Sequence, residues 1–443
     1  MKRSDDRIGR LEIRERPIAA LKPYAGNPRT HSPMQIRQIA ESLKKFGWTN
    51  PVLVDDDDGI IAGHGRVAAA QLLGLTTVPT IRLGTMTEAE KRAYIIADNR
   101  LAELAGWDEQ LLAIELQFLL DVEVDFDVEL TGFETADIDR ILGGAGDLAE
   151  PERVPEPDPE APVVSRPGDL WEIGRHRILC GDARDRENYE CLLAGEIAQM
   201  VFTDPPYNVA IDGNVSGLGA TRHREFAMAS GEMSSAEFTS FLRAVFRHLV
   251  AFSIDGAIHF ICMDWRHLRE ILDASEGIYS ELKNLCVWAK TNAGMGSFYR
   301  SQHELVFVFK AGRGKHVNNF GLGEKGRHRT NLWTYAGVNT FRQGRMDDLT
   351  AHPTIKPTAM VADAILDCSK RSGVVLDAFA GSGATLIAAE RTGRRGRAIE
   401  IDPAYVDLCV RRLEMETGAR ARLADGTEFQ EVAKVRLGIG EAV

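Results

Sequence analysis

The stretch GVVLDAFAGSGATLIAAERTGRRGRAIEID, residues 373–402, decides how the larger part of this 443-residue chain is read. An apolar run through Leu376 stops at Asp377, Gly381 and Gly383 then permit a tight turn with close backbone approach to a ligand, and Thr385 onward is helical in composition. A second apolar run ends on Glu400. Strand, glycine turn, helix and strand make the repeating unit of a parallel sheet, and a turn at the carboxyl end of such a strand is where doubly wound folds bind cofactors. The acid closing the second strand stands where a carboxylate reaches ribose hydroxyls. A dinucleotide is one reading of this turn, but the GxGxxG pattern fails because Leu386 occupies the third glycine position.

Outward from that unit, AQMVFT (198–203), GAIHFICM (256–263) and ELVFVF (304–309) read as further buried strands, with helices over 234–252, 358–371 and 383–392. The alternation predicts an α/β fold whose mostly parallel sheet is covered on both faces. One strand ends oddly: AQMVFT breaks on Asp204, Pro205, Pro206 and Tyr207.

Four segments carry a family resemblance. DPPY at 204–207, HPTIKP at 352–357, DAFAGSGAT at 377–385 and IEIDPAYVDLCVRRLE at 399–414 resemble the motifs of S-adenosylmethionine-dependent DNA amino-methyltransferases, in the order of the permuted beta group. The resemblance spans essentially all of 168–430. It implies a Rossmann-like methyltransferase domain that flips a base out of DNA and methylates its exocyclic amine. DPPY is the group's usual spelling for N6 of adenine; N4 of cytosine is the nearest alternative. It further implies that Asp377, Phe379, Gly381, Ser382 and Gly383 line the cofactor, with Glu400 on its ribose hydroxyls. Thr354 and Lys356 are expected near the methionine end and Asp182, in LCGDARD, beside the adenine, while Asp402 reads as the N-cap of a helix. No metal is required.

The residue chemistry agrees. An exocyclic amine is a poor nucleophile because its lone pair is delocalised into the ring. Two acceptors that each take one of its hydrogens free that lone pair for in-line attack on a sulfonium methyl. Asp204 supplies a carboxylate, and Pro205 a carbonyl held in place by Pro206, since a residue before proline is confined to extended conformations. Tyr207 offers a flat face for an extruded base.

Target recognition is expected at about 288–345, where Gly-rich loops, aromatics and cations mix. Arg300, Lys325, Arg327, Arg329, Asn331 and Arg342 are the candidates for DNA contact, Asn and Arg reading base edges and cations placing the backbone. The formal charge of −12 counts against a polyanionic partner, yet from Lys310 to Arg345 eight Lys and Arg residues face Glu324 alone.

The clearest boundary is GGAGDLAEPERVPEPDPEAPVVSRPG, 143–168, rich in proline and acid and without apolar period. It predicts an extended tether over 143–167, between an N-terminal domain at 1–142 and the methyltransferase domain at 168–443. Ahead of it, HSPMQIRQIAESLKKFG reads as a helix capped by Ser32, with Pro33 in its first turn and Gly47 at its end. Residues 13–100, with NPRTHSPMQIRQIAESLKKFGWTNPVLVD and GHGRVAAAQLLGLTTVP, resemble the small α+β N-terminal domain of ParB partition proteins, also found fused to phage and prophage methylases. Residues 87–120 add a helical appendage. Gly63, His64, Gly65 and Arg66 open a helix, where amide N–H groups and an arginine suit a phosphate or nucleotide; a purely structural turn fits as well. The partition pattern GERR is broken here, His64 replacing its acid and Gly65 its first arginine, which weakens the case for CTP. No carboxylate cluster of convincing spacing supports a nuclease.

The composition, 44% hydrophobic and 27% charged, is that of an ordinary folded protein, and no apolar run approaches a membrane span of roughly 20 residues. With no apolar core for a signal peptide in MKRSDDRIGRLEIRERP we read a cytoplasmic protein, and six cysteines without CxxC spacing read as reduced thiols. DNA is the expected partner, a homodimer a further expectation, and a membrane none. The rival from another class is a ParB-like DNA- or nucleotide-binding factor whose methylase half is an inactive scaffold; RNA or protein methylation is a third reading.

Overall fold

The computed structural model describes residues 11–84, 86–122, 126–143, 161–209, 231–291, 298–323, 327–336 and 356–438. The chain divides into two compact units, Met1–Leu142 and Gly143–Val443.

In the first unit, β1 (Ile13–Pro17), α1 (Pro33–Phe46), β2 (Val52–Val54), β3 (Ile60–Ala62), α2 (His64–Leu72) and β4 (Thr77–Arg82) build a sheet of order β1-β4-β2-β3. The Ser32 hydroxyl accepts the Gln35 amide at 3.1 Å to start α1, and Gly47, at φ 74°, ends it. Ile18, Val52, Val54, Ile60, Val67 and Val78 close the core beneath. After α3 (Glu88–Leu104), the helices α4 (Glu109–Asp121) and α5 (Thr135–Ile141) share a small core of their own around Leu116, Val128 and Ile138.

The second unit begins with β5 (Leu170–Ile173), β6 (His176–Cys180), α6 (Arg186–Leu193), β7 (Ala198–Thr203), α7 (Ser235–Ala251), β8 (Ser253–Met263) and α8 (Leu268–Ser275). It continues with β9 (Glu281–Lys290), β10 (His303–Lys310), β11 (Leu332–Tyr335), α9 (Thr358–Cys368), β12 (Val374–Asp377), α10 (Ala384–Arg391), β13 (Arg395–Glu400), α11 (Pro403–Thr417) and α12 (Phe429–Leu437). Nine strands pair in the order β11-β9-β10-β8-β7-β12-β13-β6-β5. The run from β8 to β6 is parallel throughout, so the fold is α/β with a mostly parallel sheet. Helices α6, α7 and α8 bury one face with Phe238, Leu242, Val245 and Leu249; α9 and α10 bury the other with Met360, Val361, Ile365 and Ala388.

The extended tether needs correction at its far end. Val164 is 2% exposed, and the Val164 and Ser165 amides donate to the Asp407 carboxylate of α11 at 2.8 and 2.9 Å. Residues 161–167 therefore belong to the second unit, anchored because Val164 finds an apolar site and two amides find one acid.

Among the described residues no helix is long and apolar enough to cross a membrane, and no three or more His, Cys, Asp or Glu gather as a metal site. The six cysteines are free thiols, all buried but Cys191.

Candidate active site

Strand order makes the site. β7 and β12 lie side by side in parallel register, Met200 opposite Val375 and Val201 opposite Leu376, so their carboxyl ends open on one edge. Thr203 closes β7 and Asp377 closes β12. The Thr203 hydroxyl donates to Asp377 Oδ1 at 2.8 Å and accepts the Ala378 amide at 3.2 Å. This cross-strand bond ties the DPPY turn to the glycine turn. Asn208, at φ 52°, pins the returning chain by accepting the Met233 amide at 3.1 Å and donating to the Met233 carbonyl at 2.7 Å.

Asp204 stands in a cluster of charges. Its Oδ1 accepts the Tyr207 hydroxyl at 2.8 Å, and its Oδ2 lies 2.5 Å from Lys356 Nζ. Glu304, unrecognised in the sequence, accepts the Tyr207 hydroxyl at 3.1 Å and pairs with Lys356 at 3.0 Å and with Lys290. Burial alone would push Glu304 up, but Lys356 and Lys290 outweigh it and hold its carboxyl at about 2. Burial and the neighbouring Glu304 push the Asp204 carboxyl above its ordinary value while Lys356 pulls against them. The two acids in turn keep Lys356 charged against its burial. The Lys356 ammonium also sits 5.3 Å from the centre of the Tyr207 ring.

On the other side of Thr203 is the glycine turn. Gly381, at φ 50°, has open space where a side chain would stand, whereas a Cβ on Gly383, at φ 84°, would come within 2.9 Å of Cys409 Sγ. Ser382 lies on the turn between them, and its carbonyl accepts from Arg412. The half-buried Phe379 packs on Phe241 with ring centres 5.9 Å apart. Glu400 accepts the Gly381 amide at 2.8 Å and the Asp402 amide at 2.9 Å, each carboxylate oxygen keeping a second lone pair. Burial pushes Asp377 to about 6 and Glu400 to about 7. Asp402 caps α11 through the Ala404 amide. Open space over Gly381, a half-buried aromatic and an acid beside the turn with lone pairs to spare fit a nucleoside with free ribose hydroxyls. Asp182 lies on the turn after β6, its carboxylate held by both Nε and Nη2 of Arg184; burial would raise its carboxyl, but Arg184 brings it below its ordinary value.

A DNA methylase family matches residues 198–411, from β7 into α11, which takes in Asp204, Glu304, the glycine turn and Glu400 but not Asp182; a ParB-methyltransferase HTH domain matches 110–167 and a ParB N-terminal domain 2–99. The second unit thus carries a DNA methylase domain of the N6/N4 family. It is similar to the type II methyltransferase M.HpaI of Haemophilus parainfluenzae, 25% identical over 262 residues that cover 54% of this chain and 74% of the relative. The N-terminal unit is similar to the ParB-like nuclease domain-containing protein YnaK of Escherichia coli K12, 53% identical over 83 residues, 19% of this chain and 95% of that one. The crystal structure of M1.HpyAVI is 18% identical and covers 54% of this chain and 98% of its own, with a TM-score of 0.38.

In the methylase unit, the end of β9 and all of β10 and β11 fall within the expected recognition stretch and extend the sheet beyond its β8 edge. Arg300 projects between β9 and β10 beside Phe298 and Tyr299, which are 89% and 82% exposed. Asn331 is exposed ahead of β11. Arg327 and Arg329 do not stand open to DNA. Arg327 bonds Asp363 and Asp367 at 3.0 and 2.9 Å, and Arg329 bonds the same two acids at 3.1 and 2.8 Å, fastening the loop to α9. Half-buried guanidiniums with two acids on the adjoining helix pair there rather than remain hydrated. Lys325, Arg342 and Thr354 lie outside the described residues.

The N-terminal turn is likewise tied inward. Gly63, at φ 103°, is the N-cap of α2; Gly65 is buried, and a Cβ there would come within 3.0–3.2 Å of His31 and Ile39. His64 Nε2 accepts the Tyr24 amide at 3.2 Å, and burial, helped by His31, lowers its pKa. Arg66 donates to the carbonyls of Asn50 and Pro51, clasping the chain that enters β2. The expected phosphate-reading arginine is thus a loop clamp in this structure.

Proposed function

We propose that this chain transfers a methyl group to the N6 amine of adenine in DNA. The observation that carries the proposal is the Thr203–Asp377 bond, which sets Asp204-Pro205-Pro206-Tyr207 beside the glycine turn on one sheet edge. S-adenosylmethionine, when bound, supplies an electrophilic sulfonium methyl. Asp377, Phe379, Gly381, Ser382, Gly383 and Glu400 hold it, Glu400 accepting its ribose hydroxyls and Asp182 its adenine amine once Arg184 yields. Lys356 stays with Asp204 and Glu304.

Asp204 accepts one hydrogen of the flipped amine and the Pro205 carbonyl the other. These two acceptors would draw the nitrogen toward a pyramidal shape and free its lone pair for the sulfonium methyl that the cofactor would supply, and the proton the methylated nitrogen sheds would leave by way of Asp204 to solvent. Tyr207 supports the base on the face opposite Lys356. Arg300, with Phe298 and Tyr299 beside it, forms a described part of the DNA surface, while Asn331, just ahead of β11 against Asn284 and Leu285 of β9, stands apart from it.

Adenine is favoured by the DPPY spelling; N4 of cytosine is the second reading and uses the same two acceptors. Labelled methyl transfer to mixed-sequence DNA followed by nucleoside mass spectrometry tests the choice. N6-methyladenine supports the proposal, and N4-methylcytosine replaces it with the second reading. Label that follows RNA or protein, or no label at all, overturns both.

A further inference from the structure

On sequence alone Glu304 is one letter of the run ELVFVF, an acid opening a buried strand. β10 runs antiparallel to β8, Leu305 opposite Met263, and to β9, Glu304 opposite Trp288. The start of β10 and the end of β9 therefore reach the edge where the parallel strands end. That places Glu304, with a side chain 12% exposed, between Lys356 and Lys290, and its Oε2 within reach of the Tyr207 hydroxyl. A carboxylate so buried persists only when paired, and here two of its three partners, Lys356 and Tyr207, also hold Asp204.

We propose that Glu304 is a positioning residue for methyl transfer: it shares the Lys356 ammonium and the Tyr207 hydroxyl with Asp204, and so keeps the Asp204 carboxylate a strong acceptor for the target amine. The proposal rests on the function proposed above. Without Glu304, Lys356 and Tyr207 both bear on Asp204 alone and draw its charge away from the amine. The charge balance points the same way. Asp204 and Glu304 offset Lys356 and Lys290, and the transfer brings a new positive charge to the amine nitrogen beside Asp204. Removing the Glu304 charge leaves an excess cation where that charge arrives, which opposes the transition state and leaves the binding of a neutral base nearly untouched.

The test uses the full chain with Glu304→Gln and Glu304→Asp. Glu304→Gln is expected to slow single-turnover transfer about 100-fold, the order of loss for one preorganised electrostatic partner. Cofactor Kd and DNA KM are expected to stay within about threefold, the mark of an interaction made in the transition state. Glu304→Asp restores part of the rate. The acid limb of the rate moves to lower pH in Glu304→Gln. The groups facing Asp204 are Lys356 ahead of α9, Tyr207 on its own turn, Glu304 on β10, Cys262 on β8 and Asp377 at the end of β12. The substitution removes one acidic neighbour and leaves the cation. Wild-type rate in Glu304→Gln, or a rate loss matched by lost cofactor affinity with an unmoved acid limb, overturns the proposal. If the wild-type chain itself methylates no DNA, the parent function fails; isotope-edited infrared titration of Asp204 then decides this one, a lower Asp204 pKa in Glu304→Gln supporting it and an unchanged one overturning it.

Discussion

Glu400 carries two backbone amides on its carboxylate and yet is pushed by burial to about 7. Ribose hydroxyls donating to its remaining lone pairs stabilise the charged form. Its folded-state pKa is raised in the free protein and falls on binding, so binding releases a proton below and around pH 7. Cofactor affinity should therefore rise with pH up to about 7 and level off above it, a dependence that Glu400→Gln abolishes along with much of the affinity. Calorimetry in buffers of different ionisation enthalpy reads the released proton directly. Gly383 offers a second test at this scale. Its φ of 84° and the 2.9 Å approach to Cys409 Sγ make Gly383→Ala costly, by about 1–3 kcal/mol of stability in thermal or urea unfolding. Adding Cys409→Ala relieves the contact and leaves the backbone strain, so recovery is partial.

At the scale of elements, the clamp of Arg327 and Arg329 holds the middle and last turn of α9, and Lys356 lies two residues ahead of the helix. Asp367 is 5% exposed at its side chain, so Asp367→Asn leaves two guanidiniums short of a partner and should cost roughly 3–5 kcal/mol. Arg329→Leu should likewise lower the unfolding midpoint without changing how DNA affinity depends on salt. Arg300→Ala should do the reverse, reducing the slope of log affinity against log salt by about 0.9 if it meets one phosphate. These two arginine types were indistinguishable in the sequence. Composition reports a basic stretch, but which cations are neutralised depends on Asp363 and Asp367, some 35 residues away on a helix that only the fold brings near. Glu304 was hidden for the same reason, since an acid at the mouth of an apolar strand gains meaning from an antiparallel pairing. The parallel strands β7, β8, β12 and β13, the α7, α9 and α10 helices and the two turns were readable because apolar runs, caps and glycines act locally. β5, β6, β9 and β11, short or half-exposed, have no such period.

At the scale of the whole molecule, the chain forms two units, each with a core of its own. From Asp108 to Leu142 the single basic residue is Arg140, among acids such as Glu109, Glu115, Asp121 and Asp137, so this segment repels DNA phosphate even though an HTH domain matches from 110 onward. With Arg66 bound to the Asn50 and Pro51 carbonyls, Arg66→Ala should loosen the entry to β2 and lower the stability of the N-terminal unit while leaving DNA affinity unchanged in a filter-binding titration. The central claim lies in the other unit, in Asp204 as the acceptor that makes an amine nucleophilic. Methyl transfer from labelled S-adenosylmethionine to DNA, with nucleosides identified by mass spectrometry, compares the wild-type chain with Asp204→Ala. The account predicts N6-methyladenine from the wild type, a loss of roughly 10²–10³-fold or more in the variant, and cofactor affinity retained by both. Equal incorporation by Asp204→Ala, or no methylated base from the wild type, would contradict it.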